Sequence, residues 1–449
     1  MVGIESLLWQ AMLADQQAAK EARKKQQDLV WTYYLGDTEA LTRAAYVNLP
    51  VGTAIGNINI TRRVIDRTSL VNMVPPERKI GDDDPKQDVY NELTRGKDFK
   101  MQRAERLANL FKLVVIHPTF RSGRLEYDLI RDFEPMFAES DPLTPIGICY
   151  PLAMSASVQD TDPVKWASWT ATEYTTYQVG TDGPTNIVTQ PHDLGLLPFV
   201  FVHADGVPES TFTDVVPALD LVAANYAVNL MDTDMHLNIR FQSFGNYWAK
   251  GVPTDQDIPL TPHDVTCFTE ADAGMYCVTP PDTTESVALG IKFDITAVAQ
   301  TYHLNAAFVE GTQSESGVAL KVRNQELHEH RRSDVARARM VEEEVYVIER
   351  KILEVNGKGI FPEGFVVDFH ESVDVMSAQE RREQDQWDLD HNHTTEARLM
   401  QRDNPDKYKT IEEYQEEIDE NKRLNSSPVS TPIAPPPGGI TTLLGGASV

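Results

Sequence analysis

The stretch FVEGTQSESGVALKV, residues 308–322, sets two helical patterns on either side of a short polar run. An apolar helical segment, DITAVAQTYHLNAAFVEG (294–311), arrives at Phe308 and Val309, with Asp294 as its expected N-cap. Polar or glycine residues fill 311–317. The longest helical pattern of the chain follows, VALKVRNQELHEHRRSDVARARMVEEEVYVIERKILEVNG (318–357). Val341, Val345, Ile348 and Ile352 give it an apolar stripe, and Gly357 is the expected C-terminal stop. A helix of about 36 residues spans roughly 54 Å at 1.5 Å per residue. A turn between two helices is the plain reading of 310–317. A loop that reaches into something and moves is the other, because Gly311 and Gly317 give backbone freedom at its ends.

Upstream of this unit, residues 4–30 pattern as helix, and 31–116 as mixed helix, with TRRVIDRTSLVNMV (61–74) and MQRAERLANLFKLVVIH (101–117) as its clearest parts. From 113 to 204 the period changes to two. LVVIHPTF, RLEYDLIR, SWTATEYTTYQV and PTNIVTQ alternate β-branched or aromatic residues with polar ones, and Ser122–Gly123 and TDGP (181–184) supply turn chemistry. QPHDLGLLPFVFVHADG (190–206) reads as a hinged turn into a buried strand. A helix is expected over 210–244, capped by Thr213 or Asp214, with Val215, Leu219, Val222, Tyr226 and Leu230 on one face. Short strands and loops fill 245–293. Downstream, 361–372 reads as a strand, 376–425 as two charged helices split near Asn404–Pro405, and 426–449 as a disordered Pro/Gly/Ser-rich tail.

The whole chain has 449 residues, 41% of them apolar, which allows more than one domain with real cores. Its 68 acidic against 41 basic residues give a formal charge of −27. A surface of that sign does not coat nucleic acid, which needs lysine and arginine on phosphates. It suits a protein that lets DNA pass without holding it. Over 210–315 there are 14 acidic residues against Arg240, Lys250 and Lys292, so the acidity concentrates on the helix–excursion–helix unit. Cys149, Cys267 and Cys277 make neither a disulfide framework nor a zinc ribbon, and point to a reducing compartment. The N-terminus lacks the basic start of a signal peptide. The longest apolar run, LLPFVFV (196–202), is far short of the roughly 20 residues that span a bilayer. A soluble, intracellular protein is expected.

No enzyme signature survives inspection. Gly311 and Gly317 lack the lysine and hydroxyl of a phosphate loop, with Val318 standing where the lysine is needed. His328 and His330 point to different helix faces, and His391 and His393 read as a polar helix end. Asp82, Asp83 and Asp84 sit in a row beside Pro85, as a solvated loop does, and Ser69, Ser243 and Ser316 have no nucleophile elbow. No catalytic residue, metal site or cofactor is expected.

The order of these elements, with SGVALKV (316–322) opening the long helix and RDNPDKYKTIEEYQEE (402–417) near the end, resembles portal proteins of tailed bacteriophages over roughly residues 30–420. The resemblance implies an α+β fold built as follows: an N-terminal helix (1–30), a wing (31–209), a first stem helix (210–244), a clip (245–293), a second stem helix (294–309), a tunnel loop (310–317), a long wing helix and strand (318–375), crown-like helices (376–425) and a tail (426–449). It implies a homo-oligomeric ring of twelve subunits at one capsid vertex, through which DNA is packaged and ejected. It implies as partners a terminase motor, capsid protein and a head-completion adaptor or tail protein, with no membrane and no cofactor. The location would be the virion, and the host cytoplasm during assembly.

Glu310, Gly311, Thr312, Gln313, Ser314, Glu315, Ser316 and Gly317 would line the narrowest part of the channel. Tyr247 and Trp248 become candidates for motor or adaptor contact, with packing between neighbouring clips as the other reading. Arg331, Arg332, Arg337 and Arg339 against Glu342, Glu343 and Glu344 are candidates for pairing between subunits or along their own helix. Another virion structural or adaptor protein is the alternative, and a metal-dependent packaging nuclease a more distant one.

Overall fold

The structure is a computed structural model of the chain. It describes residues 14–47, 49, 52–81, 85–152, 164–180, 183–208, 212–244, 246–251, 272–278, 281–304, 317–369, 378–391, 393–404, 407–408 and 410–425. The acidic run Asp82–Asp84, the loop Glu310–Ser316 and the tail lie outside these residues, while Gly317 opens the long helix.

Alternation along one strand builds two cores. In β2 (Leu113–Arg121), Val114 and Ile116 join the main core, while Leu113 and Val115 enter a second one with Phe133, Ile148, Phe199 and Phe212. A strand clad on both faces needs a continuous apolar run, and LVVI supplies it. β2 pairs antiparallel with β3 (Arg124–Ile130) and β9 (Val200–His203). Ser122 and Gly123 take φ of 52° and 83°, closing the β2–β3 hairpin in two residues as the Ser-Gly pair predicts. The strands β4 (Glu134–Ala138), β5 (Asp141–Pro151), β6 (Lys165–Thr170), β7 (Glu173–Gly180) and β8 (Gly183–Pro191) form a separate five-stranded antiparallel meander in chain order.

Helices α1 (Ala14–Leu35), α3 (Ile60–Thr68), α4 (Gln87–Leu93) and α5 (Lys97–Phe111) contribute to the main core, and the short α2 (Glu39–Ala44) follows α1 in the chain. Strand β1 (Glu77–Ile80) pairs with β12 (Phe365–Asp368), which is shorter than the 361–372 expected. Helix α6 (Leu219–Phe244) leads through β10 (Asn246–Lys250) and β11 (Gly274–Val278), paired antiparallel, to α7 (Thr284–Thr301). Helix α8 (Gly317–Val355) follows. Among the described residues all the sheets are antiparallel and set among helices, so the fold class is α+β.

Contacts divide the chain into two units, 1–315 with 321–373, and 316–320 with 374–449. Among the described residues the second unit carries three helices where two were expected: α9 (Ala378–Asp390), α10 (Glu396–Asp403) and α11 (Ile411–Asn425). Buried Tyr414 donates to Asn404 O at 2.6 Å, and Arg402 grips Asp385 with two bonds of 2.8 Å.

Three helix boundaries differ from expectation. The N-terminal helix continues to Leu35 rather than ending near 30. Helix α6 starts at Leu219, not near 210. Residues before it are spent elsewhere: Phe212 and Val215 pack into the second core, and Ala218 N–H donates to Leu110 O. Neither Thr213 nor Asp214 caps it. Helix α7 begins at Thr284, so Asp294 is interior. The N-cap position is Thr283, whose side chain makes no capping bond; Asp282, one residue earlier, accepts from Thr284 N–H at 3.0 Å, and that bond holds the Asp282 carboxyl below its ordinary value.

Helix α8 ends as its sequence requires. Gly357 has φ of 70°, Lys358 N–H donates to Leu353 O and Gly357 N–H to Glu354 O, the two bonds of a Schellman motif. A Cβ at Gly357 meets nothing within 4 Å, so only backbone strain opposes a side chain there. Gly357→Ala is expected to cost about 1 kcal/mol, seen as a lower urea midpoint, with Gly357→Asn costing less.

Candidate functional site

The helix–ribbon–helix unit singled out by its acidity is held together at both ends. Near the ribbon, Asn238 Nδ2 donates to Thr283 Oγ1 at 2.8 Å, and Gln242 Nε2 to Asp282 Oδ1 at 3.1 Å. At the other end Tyr302 Oη donates to the Asp220 carboxylate at 2.8 and 2.9 Å. Burial, and then that carboxylate, push the Tyr302 phenol well above its usual range. In the ribbon, Tyr247 pairs with Cys277 and Trp248 with Tyr276. The Trp248 and Tyr276 rings stack at 4.4 Å and 18° and are each about half exposed.

A polar stripe fixes α6 to the rest of the fold, beside an apolar face that sets Leu221, Val222 and Val228 in the main core. Asn225, Asn229 and Thr233 recur every four residues and are 1%, 0% and 0% exposed. Asn225 Oδ1 accepts from Ile60 N–H, Thr61 N–H and Thr61 Oγ1, while its Nδ2 donates to Ile58 O. Asn229 Oδ1 accepts from Ile58 N–H, and its Nδ2 donates to Thr38 Oγ1. Thr233 Oγ1 accepts from Gly56 N–H. Gly56 is obligatory here, because a Cβ would lie 2.5 Å from Asn229 O. The amide of Asn225 therefore satisfies the start of α3, whose first N–H groups have no helical partner. Asn225→Ala is expected to lower stability by about 3 kcal/mol by stranding several of these groups. Chemical denaturation checks it, and a loss below about 1 kcal/mol would mean that water replaces the amide.

The long helix carries the other polar concentration, and here the expectation for Glu342 is overturned. Glu342 and Glu349 are both 0% exposed and sit two turns apart on the apolar face. Arg78 grips Glu342 with bonds of 3.0 and 2.6 Å and also reaches Asp98. Lys97, 1% exposed, lies 3.0 Å from Glu342 and 2.9 Å from Glu349. Tyr90 Oη and Tyr127 Oη both donate to Glu349. Burial alone would raise the Glu342 carboxyl, but Lys97 and Arg78 outweigh it and hold it below its ordinary value. Glu342 thus ties α8 to β1 and α5 within one chain and has no charge to offer a neighbour.

The other members of the expected pairing set scatter. Arg331 is buried and its Nε donates to Leu70 O at 3.4 Å. Arg337 pairs with Asp334 at 2.6 Å, and Arg339 lies 3.9 Å from Asp368. Arg332, Glu343 and Glu344 are exposed. Glu349, Lys97 and Arg78 were missed, although a glutamate two turns from Glu342 on the stripe of Val341, Val345, Ile348 and Ile352 was a readable signal.

Among the described residues no group of three His, Cys, Asp or Glu side chains is placed to hold a metal ion, and no helix is long and apolar enough to cross a membrane. No protein-family model matches the chain, and no match to a curated protein was found.

Proposed function

We propose that the chain is a portal protein, a ring-forming channel for DNA at a capsid vertex. The observation that carries the reading is the element order: a long helix, a two-stranded ribbon, a second helix packed on the first, and then, after 305–316, a helix of 39 residues anchored in an α+β unit. In this reading α6 and α7 are the stem, the β10–β11 ribbon belongs to the clip, and Glu310–Gly317 is the tunnel loop. Tyr247 and Trp248 lie on the ribbon that faces the motor or the adaptor.

Two further features support it. Leu289 and Phe293, one turn apart on α7, are 60% and 72% exposed and form an apolar pair that a ring of stems would cover. The channel-forming unit is acidic, so duplex DNA would slide past it rather than adhere. Negative-stain microscopy with light scattering tests the proposal. Rings with a central hole and the mass of twelve 50.4-kDa chains, about 605 kDa, are expected. A monomer or dimer that stays so when mixed with capsid protein overturns it.

A further inference from the structure

An island of positive charge, part of it unpaired, interrupts this acidic chain. An open cleft of about 980 Å³ lies between α5, the end of β3 and the end of β5. Four cations line it, Lys100, Arg103, Arg121 and Arg131, against two acids, Asp128 and Asp132. The acids are already used: Asp128 is paired with Arg121, and Asp132 lies 3.0 Å from Lys24. Lys100 and Arg103, one turn apart on α5, have no ion-pair partner among the described residues. Arg131 is 3.5 Å from Asp28, yet its Nη1 is buried with no hydrogen-bond partner. Beside these cations stand Phe99, 66% exposed, and Tyr150.

We infer that this cleft binds an acidic peptide segment of a partner protein, one that sets a large apolar side chain among its carboxylates. The charge is complementary, and arginine forks match carboxylates in pairs of bonds. The apolar wall of Phe99, Leu129 and Tyr150 distinguishes this occupant from a nucleic-acid backbone. Duplex DNA would also meet the surplus carboxylates that give the chain its −27, whereas a short peptide meets only the cleft.

Fluorescence anisotropy on the full-length protein tests this, with a fluorescein-labelled probe peptide of sequence DDEFEDD. Binding at low salt is expected. The K100E/R103E variant should weaken it by about tenfold or more, as should the amidated probe NNQFQNN, and F99A by about fivefold. Both cations reach solvent, so circular dichroism of K100E/R103E should match the parent, and K100Q/R103Q repeats the test with no reversed charge. Absent binding by the parent, or binding by both K100E/R103E and K100Q/R103Q as tight as the parent's, overturns the inference. So does tighter competition by a 20-base-pair duplex than by unlabelled peptide, which would make the cleft a phosphate site. Binding seen only in D160N/D162N would also overturn it, since the chain's own acidic segment would then be the occupant.

Discussion

The double variant Leu289→Glu/Phe293→Glu is expected to abolish the ring and leave a folded chain of about 50 kDa. Both side chains are mostly exposed in the single chain, so their replacement removes little of its own core. In a ring the same two positions would be covered by a neighbour's stem. Two carboxylates placed there would lose water at every one of the repeated interfaces, at a cost of several kcal/mol each. The readout is mass by light scattering, with circular dichroism and melting unchanged in the monomer. Rings that persist in the variant would show that α7 does not face a neighbour. A collapsed melting curve would show instead that these residues serve the chain's own fold.

Lys97→Met is expected to destabilise the first unit by about 3–5 kcal/mol, the usual cost of removing one partner from a buried ion cluster. Two fully buried carboxylates, Glu342 and Glu349, would then depend on Arg78 and two tyrosine hydroxyls. The cluster also gives a pH dependence with a definite sign. The folded Glu342 carboxyl titrates below its ordinary 4.5, so its contribution is complete above that value. It is lost as pH falls through the folded value. Lys97→Met removes a cation that holds the carboxyl down, so the acid limb should move to higher pH. Glu342→Gln should flatten this part of the limb while still lowering stability near neutrality. Melting temperature against pH for the three proteins decides it. Parallel curves would mean that Glu342 does not set the acid limb.

How much of this was legible depended on which residues carried the pattern. The β2–β3 hairpin, the buried strand β9 and the end of α8 were readable because Ser122–Gly123, LLPFVFV and Gly357 each have one physical use. The attachment of α6 was not, because an apolar periodicity search passes over Asn225, Asn229 and Thr233, whose partners in this contact are 164 or more residues away. The start of α7 was obscured by Pro280 and Pro281 just before it and by Gly290 within it, so the pattern was picked up only at Asp294. Glu342 was read as one member of a charged run. Only its place on the same stripe as Val341 and Val345 separates it from exposed Glu343 and Glu344.

The attachment of α6 also shapes how this protein can vary. Asn225, Asn229 and Thr233 read mostly main-chain groups of residues 56–61, which every amino acid but proline presents alike. A library randomised on both sides of this contact should therefore give a lopsided result. The three α6 positions and Gly56 would return almost only their own residues. Ile58, 38% exposed and held by its backbone, would drift freely. Homologues could thus share the attachment while the segment it grips has diverged past recognition.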